Sequence, residues 1–363
     1  MPIALESIDW ESCLLEHQTD RALESYARKK IGLPNPTIGY FASVPWLARA
    51  QVDLQPTNGL LMRLNPDVAD LVALVVSQEN SCRYCFAVVR ALLWAQGMSR
   101  ARIEQLEQDL TRADLPGRTL AAMAFGRSQS RSGPSKACAA NEALGQAGFG
   151  ADERRELAFA VAVMDFLNRL HTIPAIPTRP VERMPEQLHI RLMRPLIGRI
   201  LRGHRLVGRA TPMDRAPSHP YTRLLTAYDG SPIAPALGRT LDDMWASPHL
   251  TRRCKLLMLA VIGRGLSCEA CAAEVGAALR AEGLDGDALA RILTRLDGPE
   301  LDPVERALVP FARETIWYEP ATVQRRARGL RERLSPSQLL EAIGVASLGN
   351  GLCRMGGMIL GAP

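Results

Sequence analysis

One segment occurs twice in this chain, and that fact limits the fold more than any other. SCRYCFAVVRALLWAQGMS begins at Ser81, and SCEACAAEVGAALRAEGLD begins at Ser267, 186 positions later. The same offset pairs Phe125 with Phe311 and Arg127 with Arg313; it then slips by one to pair Glu156 with Glu341 and Arg169 with Arg354. A register kept over about 90 residues, with matching cysteine pairs, predicts an internal duplication. Two copies predict a pseudo-dimer rather than a solenoid.

The residue pattern predicts an all-α chain. Long Ala/Leu/Arg/Glu stretches carry a 3.6-residue period, and β-branched alternation is scarce. Ser81, Ser267, Ser99, Asp285 and Asp152 read as helix starts, and Gly97, Gly283, Pro116 and Pro303 as breaks. The expected organisation is an N-terminal helical extension over 1–35, with its helix around Trp10–Lys30, and a first domain over 36–171. An Arg/Pro-rich linker over 172–221 and a second domain over 222–363 follow. Each domain is expected to hold about six helices.

The chain has 363 residues, of which 47% are apolar and 23% charged, so it can bury a large core without crosslinks. Its net charge is +6, but ten Arg against three acids fall within 172–225. The charge therefore belongs to one segment. That segment also holds eight of the 25 prolines, as suits a connection. Within it, Leu188, Leu192, Leu196 and Ile200 recur at helical spacing and predict one short amphipathic helix over about Gln187–Arg202. A basic amphipathic helix fits an anionic surface, yet no aromatics are interleaved. A crossing linker packed between two near-neutral domains explains the charge equally well, and the expectation is no nucleic-acid partner.

The first residues, MPIALESIDWESC, carry acids rather than a basic leader. The longest apolar runs, Leu157–Leu167 and Leu256–Gly263, fall short of the roughly 18–20 residues of a membrane helix. The expectations are a cytoplasmic location and no stable membrane insertion. In a reducing compartment, paired cysteines point to redox or metal chemistry rather than to a structural framework.

Cys82/Cys85 and Cys268/Cys271 are the candidate redox groups. Each pair follows a Ser that can cap a helix, which places the first Cys at the helix's positive end, where a thiolate is favoured. The second Cys lies one turn on. The i, i+3 Cβ separation of about 5–6 Å exceeds the roughly 3.5–4.5 Å of a disulfide, so such a bond needs adjustment of the first turn and should be reducible. Zinc would need a second ligand pair, and no His or Cys lies within a dozen residues after either pair. The expectation is no metal and no cofactor. The other reading of the pairs is buried apolar thiols. Cys13, Cys138, Cys254 and Cys353 read as ordinary core or surface residues. His171 reads as an imidazolium suited to a helix C-terminus, Arg169 and Arg354 as structural groups at an interface, and His249 as a weak candidate near Cys268.

VSQENSCRYC (Val76–Cys85) and VIGRGLSCEAC (Val261–Cys271) resemble the alkylhydroperoxidase D / carboxymuconolactone decarboxylase superfamily. The helix–turn segments Gln96–Leu106 and Glu282–Ile292 and the MDFLNRL stretch (Met164–Leu170) add to the resemblance, which covers roughly 36–171 and 222–357. It implies two tandem all-α domains, homo-oligomeric assembly and no metal. It also implies peroxide reduction, or electron relay from a thiol or dithiol donor, through C-x-x-C. Family members use a Glu twelve residues before the first Cys and a His four after the second as a proton relay. Here those positions hold Asp70 and Val89 in the first copy, Leu256 and Val275 in the second. Asp70, or Glu79 just before the helix, is the carboxylate expected to serve the first copy; only Glu274 is close in the second. The alternatives are a redox-responsive or non-catalytic assembly module and a carboxymuconolactone-type decarboxylase. The latter has no use for paired cysteines.

Overall fold

A computed structural model describes residues 4–110, 114–131, 137–213 and 220–361; the side chain of Cys138 and the linker stretch 214–219 lie outside the described residues. Eighteen α-helices form among them, with no β-strand beyond a single bridge between Asn58 and Leu206. The all-α expectation is met. In chain order they are α1 (Arg21–Ile31), α2 (Pro45–Asp53), α3 (Pro66–Glu79), α4 (Arg83–Ala95), α5 (Arg100–Gln108) and α6 (Gly117–Arg131). Next come α7 (Ala137–Gln146), α8 (Ala151–Thr172), α9 (Arg179–Glu182) and α10 (Leu188–Gly203). The remainder are α11 (Thr222–Ala227), α12 (Ile233–Ala246), α13 (Arg252–Gly265), α14 (Glu269–Ala281), α15 (Gly286–Arg295), α16 (Pro303–Glu314), α17 (Pro320–Leu330) and α18 (Pro336–Ile359).

The centre of the molecule is the pair α8 and α18, which pack along each other. Every residue from Glu156 to Thr172 and from Leu339 to Met358 is buried, which is why neither helix shows a polar face in sequence. Small residues let them approach closely: a Cβ on Gly351 would stand 2.7 Å from the Ala162 carbonyl oxygen. Around α8 sit α3, α4 and α6, and around α18 sit α13 and α14, so each cysteine pair opens the helix that flanks one of the central two.

A buried ionic cluster ties the centre together. Asp165 lies 3.1 Å from Arg169 and 3.7 Å from Arg354, and accepts from Asn80 Nδ2 at 2.8 Å. Arg169 donates to the Thr315 and Ile316 carbonyls at 2.9 and 3.0 Å, and Arg354 to the Gln129 carbonyl at 3.5 Å. Positions 129 and 315 are themselves 186 apart. The two arginines thus reach carbonyls across the α8–α18 seam in both directions, and Arg354 also donates to the Ile316 carbonyl at 3.3 Å, so the two share that acceptor. Burial lowers Arg354 to about 10.

Several local expectations change. The N-terminal extension is mostly irregular: after a short 3-10 turn over Leu5–Ser7, its α-helix is α1, capped by Asp20 and closed by Gly32 in the left-handed region. Asp152 lies inside the first turn of α8, whose cap is Gly150. Pro303 starts α16 rather than ending a helix, because a missing N–H is harmless at N1. No helix among the described residues is long and apolar enough to cross a membrane.

Candidate redox site

Ser81 and Ser267 do not cap the cysteine helices. Both take left-handed backbone, at φ 51° and 53°, and close the preceding helices α3 and α13. Ser81 N–H donates to Gln78 O and Cys82 N–H to Ser77 O, both at 3.0 Å; Ser267 N–H and Cys268 N–H repeat this with Arg264 O and Gly263 O. This is the bonding of a Schellman end, in which the left-handed position usually holds Gly. The cysteine is therefore the N-cap itself. Cys82 and Cys268 have φ −82° and −86°, and the Cys82 sulfur accepts from Cys85 N–H at 3.3 Å.

Cys85 faces a cavity of about 130 Å³ between α3, α4 and α8. Asp70, Tyr84, Val89 and His171 share its wall, and Cys82 does not. Burial and the Cys82 sulfur beside it push the Cys85 thiol well above its ordinary value. Its Sγ lies 3.7 Å from the Leu167 carbonyl and 3.5 Å from His171 Nδ1. His171 Nδ1 is also 2.7 Å from that carbonyl. A carbonyl oxygen only accepts, so this contact assigns the proton to Nδ1. That N–H is given to the Leu167 carbonyl, and the Cys85 sulfur lies beside it at the longer distance. The ring stacks on Tyr84 at 4.9 Å and meets Phe41 edge-on at 5.9 Å. Burial pushes His171 down to about 4, so it is neutral at pH 7 and not the expected imidazolium.

Asp70 reaches the cavity from α3. Burial raises it to about 6, against the pull of Arg205, which pairs with both Asp70 and Asp67, and of Gln96 Nε2 at 3.1 Å. Glu79 is not in the wall: it pairs with Arg127 at 3.1 Å. Of the two candidate carboxylates, the structure brings only Asp70 to the Cys85 cavity.

The second pair is built differently. Cys268 Sγ and Cys271 Sγ are 2.7 Å apart. The hydrogen bond between the two thiols lowers Cys268; the same bond and another between Cys271 and Cys353 raise Cys271. Cys353, on α18, also meets the Tyr221 hydroxyl at 3.9 Å. At the central helix, Asn168 and His171 of α8 correspond in register to Cys353 and Gly356 of α18. A Cβ on Gly356 would lie 2.8 Å from Cys271 Sγ and 3.0 Å from Cys268 Sγ, so the two sulfurs occupy the space beside a missing side chain. Glu274 accepts from the Thr222 and Arg223 N–H groups and caps α11. His249 is partly exposed between α12 and α13.

Two residues of these sites were not among the sequence candidates. His171 lies 86 positions from Cys85, and Cys353 lies 82 from Cys271. The repeat register sets no like residue opposite either one, since His171 meets Gly356 and Cys353 meets Asn168, so the sequence carries no signal for them. No group of three or more His, Cys, Asp or Glu among the described residues has the geometry to hold a metal ion. No family model, curated protein or solved structure matches the chain.

Proposed function

We propose that the chain is a dithiol peroxidase, or a dithiol–disulfide oxidoreductase of the alkylhydroperoxidase D type, built as a tandem pseudo-dimer and working at Cys82/Cys85. The observation that carries this reading is the common cavity of Cys85, Asp70 and His171. The reciprocal contacts of Arg169 and Arg354 support the two-copy organisation.

Cys85 is the attacking sulfur, because it and not Cys82 reaches the cavity. Asp70, placed near neutrality, accepts the thiol proton across the cavity. The thiolate attacks one peroxide oxygen; the O–O bond breaks, sulfur is oxidised to a sulfenic acid, and the leaving alkoxide takes the proton back as an alcohol. The His171 Nδ1–H, held by the Leu167 carbonyl at rest, turns to the thiolate as the charge forms; being already protonated at that nitrogen, it is a donor there and not a base. The Cys82 thiol then attacks the sulfenic sulfur, water leaves and a Cys82–Cys85 disulfide forms. A thiol or dithiol donor reduces it. In the family that the C-x-x-C segment resembles, the relay His follows the second Cys by four residues; here Val89 holds that position, and His171 supplies an imidazole from the opposite wall.

At the second pair, Cys353 gives an oxidised Cys268–Cys271 an exchange partner. The Cys353 thiol attacks the Cys271 sulfur, Cys268 leaves and takes up the proton, and no net oxidation occurs. The lowered Cys268 suits a leaving group.

Organic hydroperoxide consumption tests this function. With a dithiol donor present, Cys85→Ser should abolish turnover at the first site. Cys82→Ser should retain a single burst that leaves a trappable sulfenic acid. Unchanged turnover in Cys85→Ser and Cys271→Ser together would sink the reading.

A further inference from the structure

Seven large apolar side chains are exposed among the described residues, and six of them fall within twenty consecutive positions: Leu188, Leu192, Met193, Leu196, Leu206 and Val207. Leu192 is 75% exposed and Val207 71%. The same stretch lies inside the segment that carries the chain's net charge. The expected packing of this helix between two domains is not what forms. Instead α10 lies against the end of α4 with its leucines turned outward.

That orientation is fixed from below. Arg194 donates to the Trp94 and Met98 carbonyls at 2.9 and 3.3 Å, and Arg202 to the Gln96 carbonyl at 3.2 Å. Gly198 sits so close that a Cβ would stand 2.5 Å from the Ala95 carbonyl oxygen. At about 100° per residue, Leu188, Leu192 and Leu196 cover one outward arc, and Arg199 falls inside it with Arg191 beside it. Arg191 and Arg199 are exposed and form no ion pair among the described residues.

Leu188, Leu192 and Leu196 make one exposed apolar face on α10, and such a face marks an interaction surface. A second copy docked face to face would set these unpaired arginines against their equivalents. A nucleic acid would satisfy the arginines and leave the leucines in water. A surface of acidic phospholipid satisfies both, with leucines in the acyl boundary and guanidinium groups at the phosphates. We propose that α10 and the Leu206–Val207 segment dock this chain on an anionic lipid surface, lying in its plane.

The full-length protein should co-sediment with phosphatidylcholine vesicles that contain phosphatidylglycerol, and not with phosphatidylcholine alone. Binding should weaken as salt is raised. Replacing Arg191 and Arg199 by Gln should weaken it about fivefold each. Leu192→Glu with Leu196→Glu should abolish it and leave the circular dichroism and melting temperature unchanged, since both positions are exposed. Three results would overturn the proposal. One is equal binding to both vesicles or to neither. Another is a dimer in light scattering that the same Leu→Glu pair dissolves. The last is a DNA complex that survives those leucine changes while no vesicle binds.

Discussion

His171 and Asp70 face one cavity and respond to burial in opposite senses, which makes their joint effect on stability measurable. The folded chain refuses a proton on His171 until about pH 4, whereas an unfolded His accepts one near 6.5. His171 therefore contributes stability that is complete above pH 6.5 and lost as pH falls towards 4. Asp70 in the folded chain keeps its proton up to about pH 6, while the unfolded carboxyl releases it near 3.8. Its contribution is present below pH 4 and is lost as pH rises to 6. Each amounts to about 3 kcal/mol at 1.36 kcal/mol per pKa unit. Against wild type, His171→Asn should therefore lose stability as pH rises from 4 to 6, and Asp70→Asn should gain it, in urea titrations across that range. Turnover supplies a second readout: Asp70→Asn should slow peroxide reduction about 10²-fold or more and remove an inflection near pH 6. The carboxylate was legible from its position twelve residues before Cys82. The imidazole was not, because its distance in sequence hides a contact that only the packing of α8 on α4 creates.

The helix junctions before the two cysteine pairs show what local pattern can and cannot decide. Ser–Cys ahead of an apolar run signals a helix start, and a helix does start there. Which residue caps it depends on how the previous helix ends, and the Schellman bonds of α3 and α13 give the serine to that end. The amphipathic period over 187–202 likewise foretold α10 to within a residue. It gave no direction for the apolar face, since period alone does not say whether a neighbour covers it. On α18, Gly356 is the element's adaptation to the thiols packed against it. Gly356→Ala should destabilise the protein by about 1–3 kcal/mol through overpacking, despite the better helix propensity of Ala. Equilibrium urea unfolding checks this. Peptide mapping after one equivalent of hydroperoxide should find Cys271–Cys353 beside Cys268–Cys271, and Cys353→Ser should leave only the latter.

For the whole molecule, α8 and α18 form the centre of the core and carry His171 and Cys353 of the two candidate sites. Asp165 is the carboxylate shared by two arginines that come from the two halves of the chain, deep in the α8–α18 seam. Asp165→Asn leaves both guanidinium groups buried without a counter-charge and should cost about 3–5 kcal/mol, seen as an earlier denaturant midpoint. The all-helical fold was legible because periodicity and Ala/Leu content agree along most of the chain. The reciprocal contacts of Arg169 and Arg354 were legible only as a matched pair of charges, since their partners are backbone carbonyls that no sequence pattern marks. The central claim is that Cys82 and Cys85 form a working dithiol beside Asp70 and His171. Acid-quenched thiol labelling of the full-length protein tests it most directly, with stoichiometric organic hydroperoxide and peptide mapping over time. The account predicts prompt, paired loss of label at Cys82 and Cys85, restored by a dithiol and slowed in Asp70→Asn. Full retention of label at both cysteines while peroxide persists would contradict it.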